Sequence, residues 1–266
     1  MSISSNRATL SLLNMTNEMF RKNIEISRIT KTCTMLLLTG ISTESIDPNI
    51  ILTCIKNQKL DGGFVGNTDT IWNAKLLEYY PRYNKEMIAA LKWINEGNFE
   101  DGGFGRSKRD MHRIPVTGLA LYLLPQLAKD IHLEWLENTW LSEVNSLTYK
   151  AAYTLLAFDA CNYVPNNQKN IEDTAYWLAS QQEENGGFAP WLSHPVGDNI
   201  YCTAVATLAL ISVDVNKYEE NILKAYNYML KTQLKSGIWP YHEIEDGASW
   251  GLLALTTCEN VLGSKL

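Results

Sequence analysis

Two kinds of helical pattern alternate along the chain. In NKEMIAALKWIN, IEDTAYWLASQQ and NILKAYNYMLKTQ, apolar residues recur at i, i+3, i+4 and i+7 with polar residues between them. That is the period of a helix with one buried face. DTIWNAKLLEYY, VTGLALYLL, TYKAAYTLLAF, NIYCTAVATLALIS and ASWGLLALTT are instead rich in Ala, Gly and Thr and apolar nearly all round. Such segments belong to helices buried on several sides. The first kind precedes a glycine-bearing turn and the second follows it. No segment alternates convincingly at the strand period. The pattern predicts an all-α domain spanning residues 1–266, with about twelve helices in about six hairpins. Each hairpin pairs an amphipathic outer helix with a small-residue inner helix.

The turns share a template. QKLDGGFVG runs from Gln58 to Gly66, NFEDGGFG from Asn98 to Gly105, QEENGGFAPW from Gln182 to Trp191 and QLKSGIWPY from Gln233 to Tyr241. Each has Gln or Asn, three residues, Gly, one residue, then Phe or Trp. The spacing is about 40–50 residues with one double gap, which places a degenerate copy near NTWLSEVNSLTYKAA and implies a repeat array. Glycine reverses the chain with positive φ at little steric cost. The aromatic can pack on the neighbouring hairpin, and the Gln can bond helix-end groups that lack partners. These residues read as structural punctuation, and none is assigned to catalysis.

Hydrophobic residues make up 45% of the chain, enough for a substantial core. The net charge of -6 and pI near 5.3 argue against a nucleic-acid partner. Cys33, Cys54, Cys161, Cys202 and Cys258 are scattered, with no C-x-x-C pair, and read as buried free thiols. MSISSNRATLSLLNM carries no long apolar core of a signal segment. TAVATLALISV is too short to span a bilayer. A soluble, cytoplasmic protein is expected.

The Q-x-x-D-G-G-F turns between paired helices resemble the repeats of the squalene–hopene cyclase and protein prenyltransferase β-subunit superfamily. The resemblance runs from about Arg28 to the C-terminus. It implies a closed (α/α)6 toroid, with the terminal helices adjacent. It also implies a central aromatic-lined cavity for a polyisoprenoid, where π faces can stabilise carbocations. The aromatics expected to line that cavity are Trp72, Tyr122, Tyr153 and Trp250, with Tyr201 beside them, although such residues can equally fill a core. In a toroid of this kind the inner-helix N-termini gather at one end. There they can hold an anion or tune an acid.

Two segments resemble different branches of the superfamily. GGFAPWLSHPVGDNIYCTAVATLAL is similar to the region around the D-x-D-D motif of the cyclases. Aligned on Thr203 and Ala204, the motif positions hold Asn199, Ile200, Tyr201 and Cys202. The proton-donating aspartate is replaced by Tyr201, and a phenol with pKa near 10 is a poor acid toward an alkene. Asp198, one residue upstream, is either a substitute acid or an N-cap. GGFGRSKRDMHR resembles the prenyl-diphosphate site of the prenyltransferases, with Arg106 and Arg109 at the matching spacing and Lys108, His112 and Arg113 nearby. The cluster would hold a diphosphate, or it is a solvated basic loop. HEIEDGASW places Glu243, Glu245 and Asp246 before the last inner helix, where they cap it or act as general acid or base. His194 is a further candidate, and His132 reads as structural.

The zinc ligands of the prenyltransferases are not matched. His112 and Ile114 occupy the Asp and Cys places, and His242 falls a few residues early. No D-D-x-x-D run is present for magnesium. No metal or cofactor is expected. The leading expectation is an isoprenoid-handling enzyme resembling terpene cyclases, binding a polyprenyl chain or its diphosphate. Peripheral membrane contact and oligomeric state stay open. The rivals are a non-catalytic toroid that binds lipid or protein, and an (α/α)6 hydrolase or lyase using paired carboxylates.

Overall fold

The computed structural model describes residues 2–97, 101–143 and 146–263. Among them are twelve α-helices: α1 (Ile3–Arg21), α2 (Ile26–Leu38), α3 (Pro48–Lys56), α4 (Asn67–Glu78), α5 (Asn84–Asn95), α6 (Ile114–Leu123), α7 (Asp130–Ser142), α8 (Thr148–Ala160), α9 (Lys169–Ser180), α10 (Ile200–Val213), α11 (Glu219–Thr232) and α12 (Ile244–Leu262). Three short 3-10 turns join them, and the described residues hold no strand, only an isolated bridge between Gln182 and Phe188.

The even-numbered helices form the inner ring. Each packs on the next, and α12 packs back on α2. Their small residues allow close approach. Ala151, Ala152, Ala204, Ala206 and Ala209 are fully buried. A methyl group added at Gly118 of α6 would lie 2.7 Å from the Tyr153 carbonyl of α8. The odd-numbered helices surround this ring.

Closure depends on α1, which precedes the stretch that carries the family resemblance. It packs against both α2 and α12. The Ser2 amide donates to Glu259 Oε2 at 2.9 Å, and the Ser5 hydroxyl to Oε1 at 2.5 Å. The Gln233 side chain donates to the Ser4 carbonyl at 3.1 Å. The ring is therefore closed, with the terminal helices adjacent.

The four turns use glycine in one way. Gly62, Gly102, Gly186 and Gly237 have φ between 91° and 96°. A Cβ at Gly62 would sit 2.4 Å from the Ala89 carbonyl, on the outer helix of the next hairpin, and the other three meet outer-helix carbonyls in the same manner. Positive φ and backbone proximity together exclude any side chain. The Gln contributes differently from expectation. Gln58 donates to its own Gly62 carbonyl and to the Glu86 carbonyl in the first turn of α5, both at 2.8 Å. Gln182 and Gln233 repeat the arrangement. It ties each turn to the next outer helix rather than satisfying a bare helix end. Asn98, the template residue of the second turn, and Val144 and Asn145, inside the degenerate copy, lie outside the described residues.

After each of the first three glycine pairs, the aromatic's amide donates to a threonine hydroxyl in the following inner helix. Phe64 reaches Thr70 at 3.1 Å, Phe104 reaches Thr117 at 2.7 Å and Phe188 reaches Thr203 at 2.9 Å. Phe64, Phe104, Phe188 and Trp239 are buried. The four glycine turns thus lie at one end of the ring, where the inner helices that follow them begin.

Candidate functional site

A cavity of about 1110 Å³ opens at that end. Its walls come from the loop before α6, the start of α8, the loop before α10 and the segment leading into α12. Tyr149, Tyr201 and Tyr241 supply its aromatic surface. Tyr201 stacks on Tyr241 with ring centroids 5.8 Å apart and meets Tyr149 at 6.4 Å. Its hydroxyl is 2.9 Å from that of Tyr153.

Beneath Tyr201 the inner helices bring further aromatics together. Trp250 meets Tyr201 at 6.2 Å, Tyr153 at 5.9 Å and Trp72 at 6.3 Å, each edge to face. Trp72, Tyr153 and Trp250 are buried. They do not line this mouth cavity. The inner helices approach so closely that the side chains interlock across the lumen. Tyr122, on α6, does not line it either. It is half-buried, and burial, with Asp159 and Tyr79 adding to it, pushes its phenol up to about 12.

Asp246, in the first turn of α12, is a carboxylate whose charge acts on Tyr153, Tyr201 and Tyr241 of this aromatic group. Its Oδ1 lies 2.7 Å from the Lys31 ammonium of α2, yet has no well-oriented hydrogen bond, so the contact is mainly electrostatic. The same ammonium is 5.5 Å from the Trp72 ring centroid. Burial raises the pKa of Tyr153 and Tyr201 well above 10, and the Asp246 charge adds to it. Tyr241 is raised for the same two reasons. These phenols are neutral hydrogen-bonding groups at physiological pH.

The charged side chains on the cavity are Arg106, Arg113, Lys150, Glu143 and Asp246, and His112, His194 and His242 also face it. Most of the cations are already matched. Lys150 pairs with Glu143. Both carboxylate oxygens of Asp110 accept from Arg113, at 3.2 and 3.3 Å, which holds Asp110 below the usual carboxylate range. His112 Nδ1 is 2.5 Å from Asp101 Oδ1.

The basic loop is therefore divided. Arg106, His112 and Arg113 border the cavity, whereas Lys108 and Arg109 do not. Lys108 turns back toward the previous hairpin, with Nζ 4.1 Å from the Trp93 ring centroid. Arg109 is exposed.

Of the four residues considered as acids, Tyr201 and Asp246 reach the cavity. Asp198 faces the other way, since its Oδ2 accepts from Asn185 at 2.6 Å and it neighbours Tyr228 of α11, whose phenol is pushed up by burial and then by the Asp198 charge. The N-cap of α10 is Asn199, whose side chain accepts from the Cys202 amide at 2.9 Å. Glu243 is exposed at the start of α12, and the buried Glu245 pairs with Arg28. Lys31, Tyr241 and the Glu143–Lys150 pair were not singled out from sequence. Lys31 pairs with Asp246 and Tyr241 stacks on Tyr201, each on a different hairpin, and sequence pattern does not show such partners.

Among the described residues, no three His, Cys, Asp or Glu side chains converge as metal ligands. His112, at the place of a zinc-binding aspartate, is occupied with Asp101, so the residues present do not fit the prenyltransferase zinc. No described helix is long and apolar enough to cross a membrane.

Closed ring and mouth cavity together define an α/α toroid with its ligand-sized opening at the inner-helix N-termini. The prenyltransferase alpha-alpha toroid domain matches residues 70–138 and 129–249, and the chain belongs to that family. No curated protein matches the sequence significantly. Among solved structures, it is similar to a variant of the type II terpene cyclase MstE from Scytonema in complex with geranylgeranyl dihydroxybenzoate. Identity is 13%, TM-score 0.75, with 97% of this chain and 99% of that one covered. A protein from Actinoplanes is similar at 12% identity and TM-score 0.72, covering 94% and 99%. The ent-copalyl diphosphate synthase from Streptomyces platensis matches at 14% identity and TM-score 0.64, over 87% of this chain and 50% of that one.

Proposed function

We propose that this toroid handles an isoprenoid, of the kind terpene cyclases take, with the prenyl chain against the Tyr149, Tyr201 and Tyr241 surface and an anionic head at the rim. The observation that carries the reading is the cavity itself. It joins a tyrosine-lined interior to a rim of cations at the converging helix N-termini. The similar cyclase structure that holds a geranylgeranyl compound supports the same ligand class. The hydrolase reading loses ground here, because the two carboxylates on the cavity, Glu143 and Asp246, are each engaged by a lysine.

Binding and chemistry are separable in this reading. Asp246 is the group we assign to proton transfer. Its Oδ1 is paired with the Lys31 ammonium at 2.7 Å, and that contact competes with any transfer of a proton through this carboxylate. Acid-initiated cyclisation at Asp246 requires that ion pair to open.

The test uses geranylgeranyl diphosphate and geranylgeraniol, with binding followed by calorimetry and products by gas chromatography and mass spectrometry. The expected outcome is binding of a prenyl chain, weakened in Tyr201→Ala, and product formation abolished in Asp246→Asn. Tight binding with the chain recovered unchanged assigns the non-catalytic toroid instead. No binding of either compound overturns the proposal.

A further inference from the structure

We infer that the head group this cavity selects is a single carboxylate, held by Arg106, and not a diphosphate. The inference rests on the isoprenoid reading above for the rest of the ligand, but its own support is the charge pairing around the rim. Arg113 is held by Asp110, Lys150 by Glu143 and Lys31 by Asp246. A polyanion recruiting any of these cations would strand its carboxylate beside the new negative charge, at a cost that grows as water is excluded. Arg106 is different. Among the described residues its guanidinium forms no ion pair, and it lies on the cavity.

The backbone presents Arg106 from a fixed point. Its carbonyl accepts the Asn67 amide at the start of α4 at 2.9 Å, and its own amide donates to Asp110 Oδ2 at 3.3 Å. Asp110 therefore does two things: it neutralises Arg113 and steadies the residue that stays available. A guanidinium fork matches the two oxygens of one carboxylate. One uncompensated guanidinium matches one negative charge, whereas a diphosphate brings several. The other cations of the loop do not alter this, since Lys108 lies over Trp93 and Arg109 is off the cavity.

The experiment measures dissociation constants at one salt concentration for geranylgeranoic acid, geranylgeranyl diphosphate, geranylgeraniol and palmitate, on wild type, Arg106→Gln and Arg109→Gln. Arg106 is exposed, so its replacement leaves the fold intact. The acid should bind at least as tightly as the diphosphate and clearly more tightly than the alcohol. Arg106→Gln should weaken the acid roughly ten- to hundredfold, the usual effect of losing a charged hydrogen bond, and leave the alcohol unchanged. Arg109→Gln should change nothing. A diphosphate that binds tenfold or more tightly than the acid overturns the inference while leaving the isoprenoid reading standing. So does an acid affinity indifferent to Arg106→Gln. Palmitate binding as tightly as geranylgeranoic acid, with the same Arg106 dependence, supports the carboxylate assignment and removes the isoprenoid one. Absence of binding by all four compounds removes both.

Discussion

At the α3–α4 turn only Val65 and Gly66 separate Phe64 from the next helix, whereas at the α5–α6 turn Gly105 to Arg113 separate Phe104 from it. Up to the aromatic the two turns match. Gly62 and Gly102 both have positive φ and touch the next outer helix. Gly63 lies against Trp93, and Gly103 against Trp135. Phe64 and Phe104 both donate to a threonine. Beyond the aromatic, the first turn enters its helix directly and contributes nothing to the cavity. The second uses its extra residues to bring Arg106, His112 and Arg113 to the rim. The loop before α10 does likewise, bringing His194, Val196 and Asn199. The shared template builds the ring, and inserted residues build the site.

The comparison breaks most severely at the glycines. Gly62→Ala and Gly102→Ala should each destabilise by about 3 kcal/mol or more, because they combine a positive φ with a backbone clash that cannot relax through a side chain. Chemical denaturation should give similar losses for both. A marked difference would show that the inserted loop alters the template itself.

A smaller effect distinguishes the two turns by pH. The Gly62 carbonyl is held by the Gln58 amide, which does not titrate, whereas the Gly102 carbonyl lies 2.6 Å from His132 Nδ1. A carbonyl only accepts, so Nδ1 carries the proton there. Burial lowers the His132 pKa. The unfolded imidazole takes up a second proton near pH 6.5 and the folded one resists it. The His132 contribution is thus fully present above about pH 6.5 and is lost as pH falls below it. His132→Phe should lower stability at pH 7.5 by about 1–3 kcal/mol through the unpaired carbonyl. It should also flatten the decline in denaturation midpoint between pH 7.5 and 5.5. An unchanged pH slope would mean that other groups set it.

The smallest effect sharpens the division within the basic loop. Lys108→Ala removes the cation from the Trp93 face and should cost about 0.5–1 kcal/mol, with no change in ligand affinity. A change in affinity would put Lys108 on the cavity side.

Much of the ring is legible in the sequence. Helix period separated outer from inner helices, and the repeated turns marked their junctions, because both depend on residues close together along the chain. The first outer helix was less legible. Its role depends on Glu259 and α12, at the other end of the chain. Within the site, Arg106, Tyr201 and Asp246 carried a readable signal, as charged or aromatic groups at inner-helix starts. Asp198 did too, yet it faces Asn185 and Tyr228, because Asn199 takes the cap and turns its neighbour outward.

Local pattern thus settled the helices, their pairing and the glycine turns. Positive φ and amphipathic period are properties of a few neighbouring residues, and they need no distant partner to be read. Tertiary structure alone decided which aromatics interlock along the axis, which loop cations face the cavity and which of those remain uncompensated. A charge is neutralised by whatever carboxylate lies a few ångströms away, and for Lys31 that is Asp246, on the far side of the ring closure.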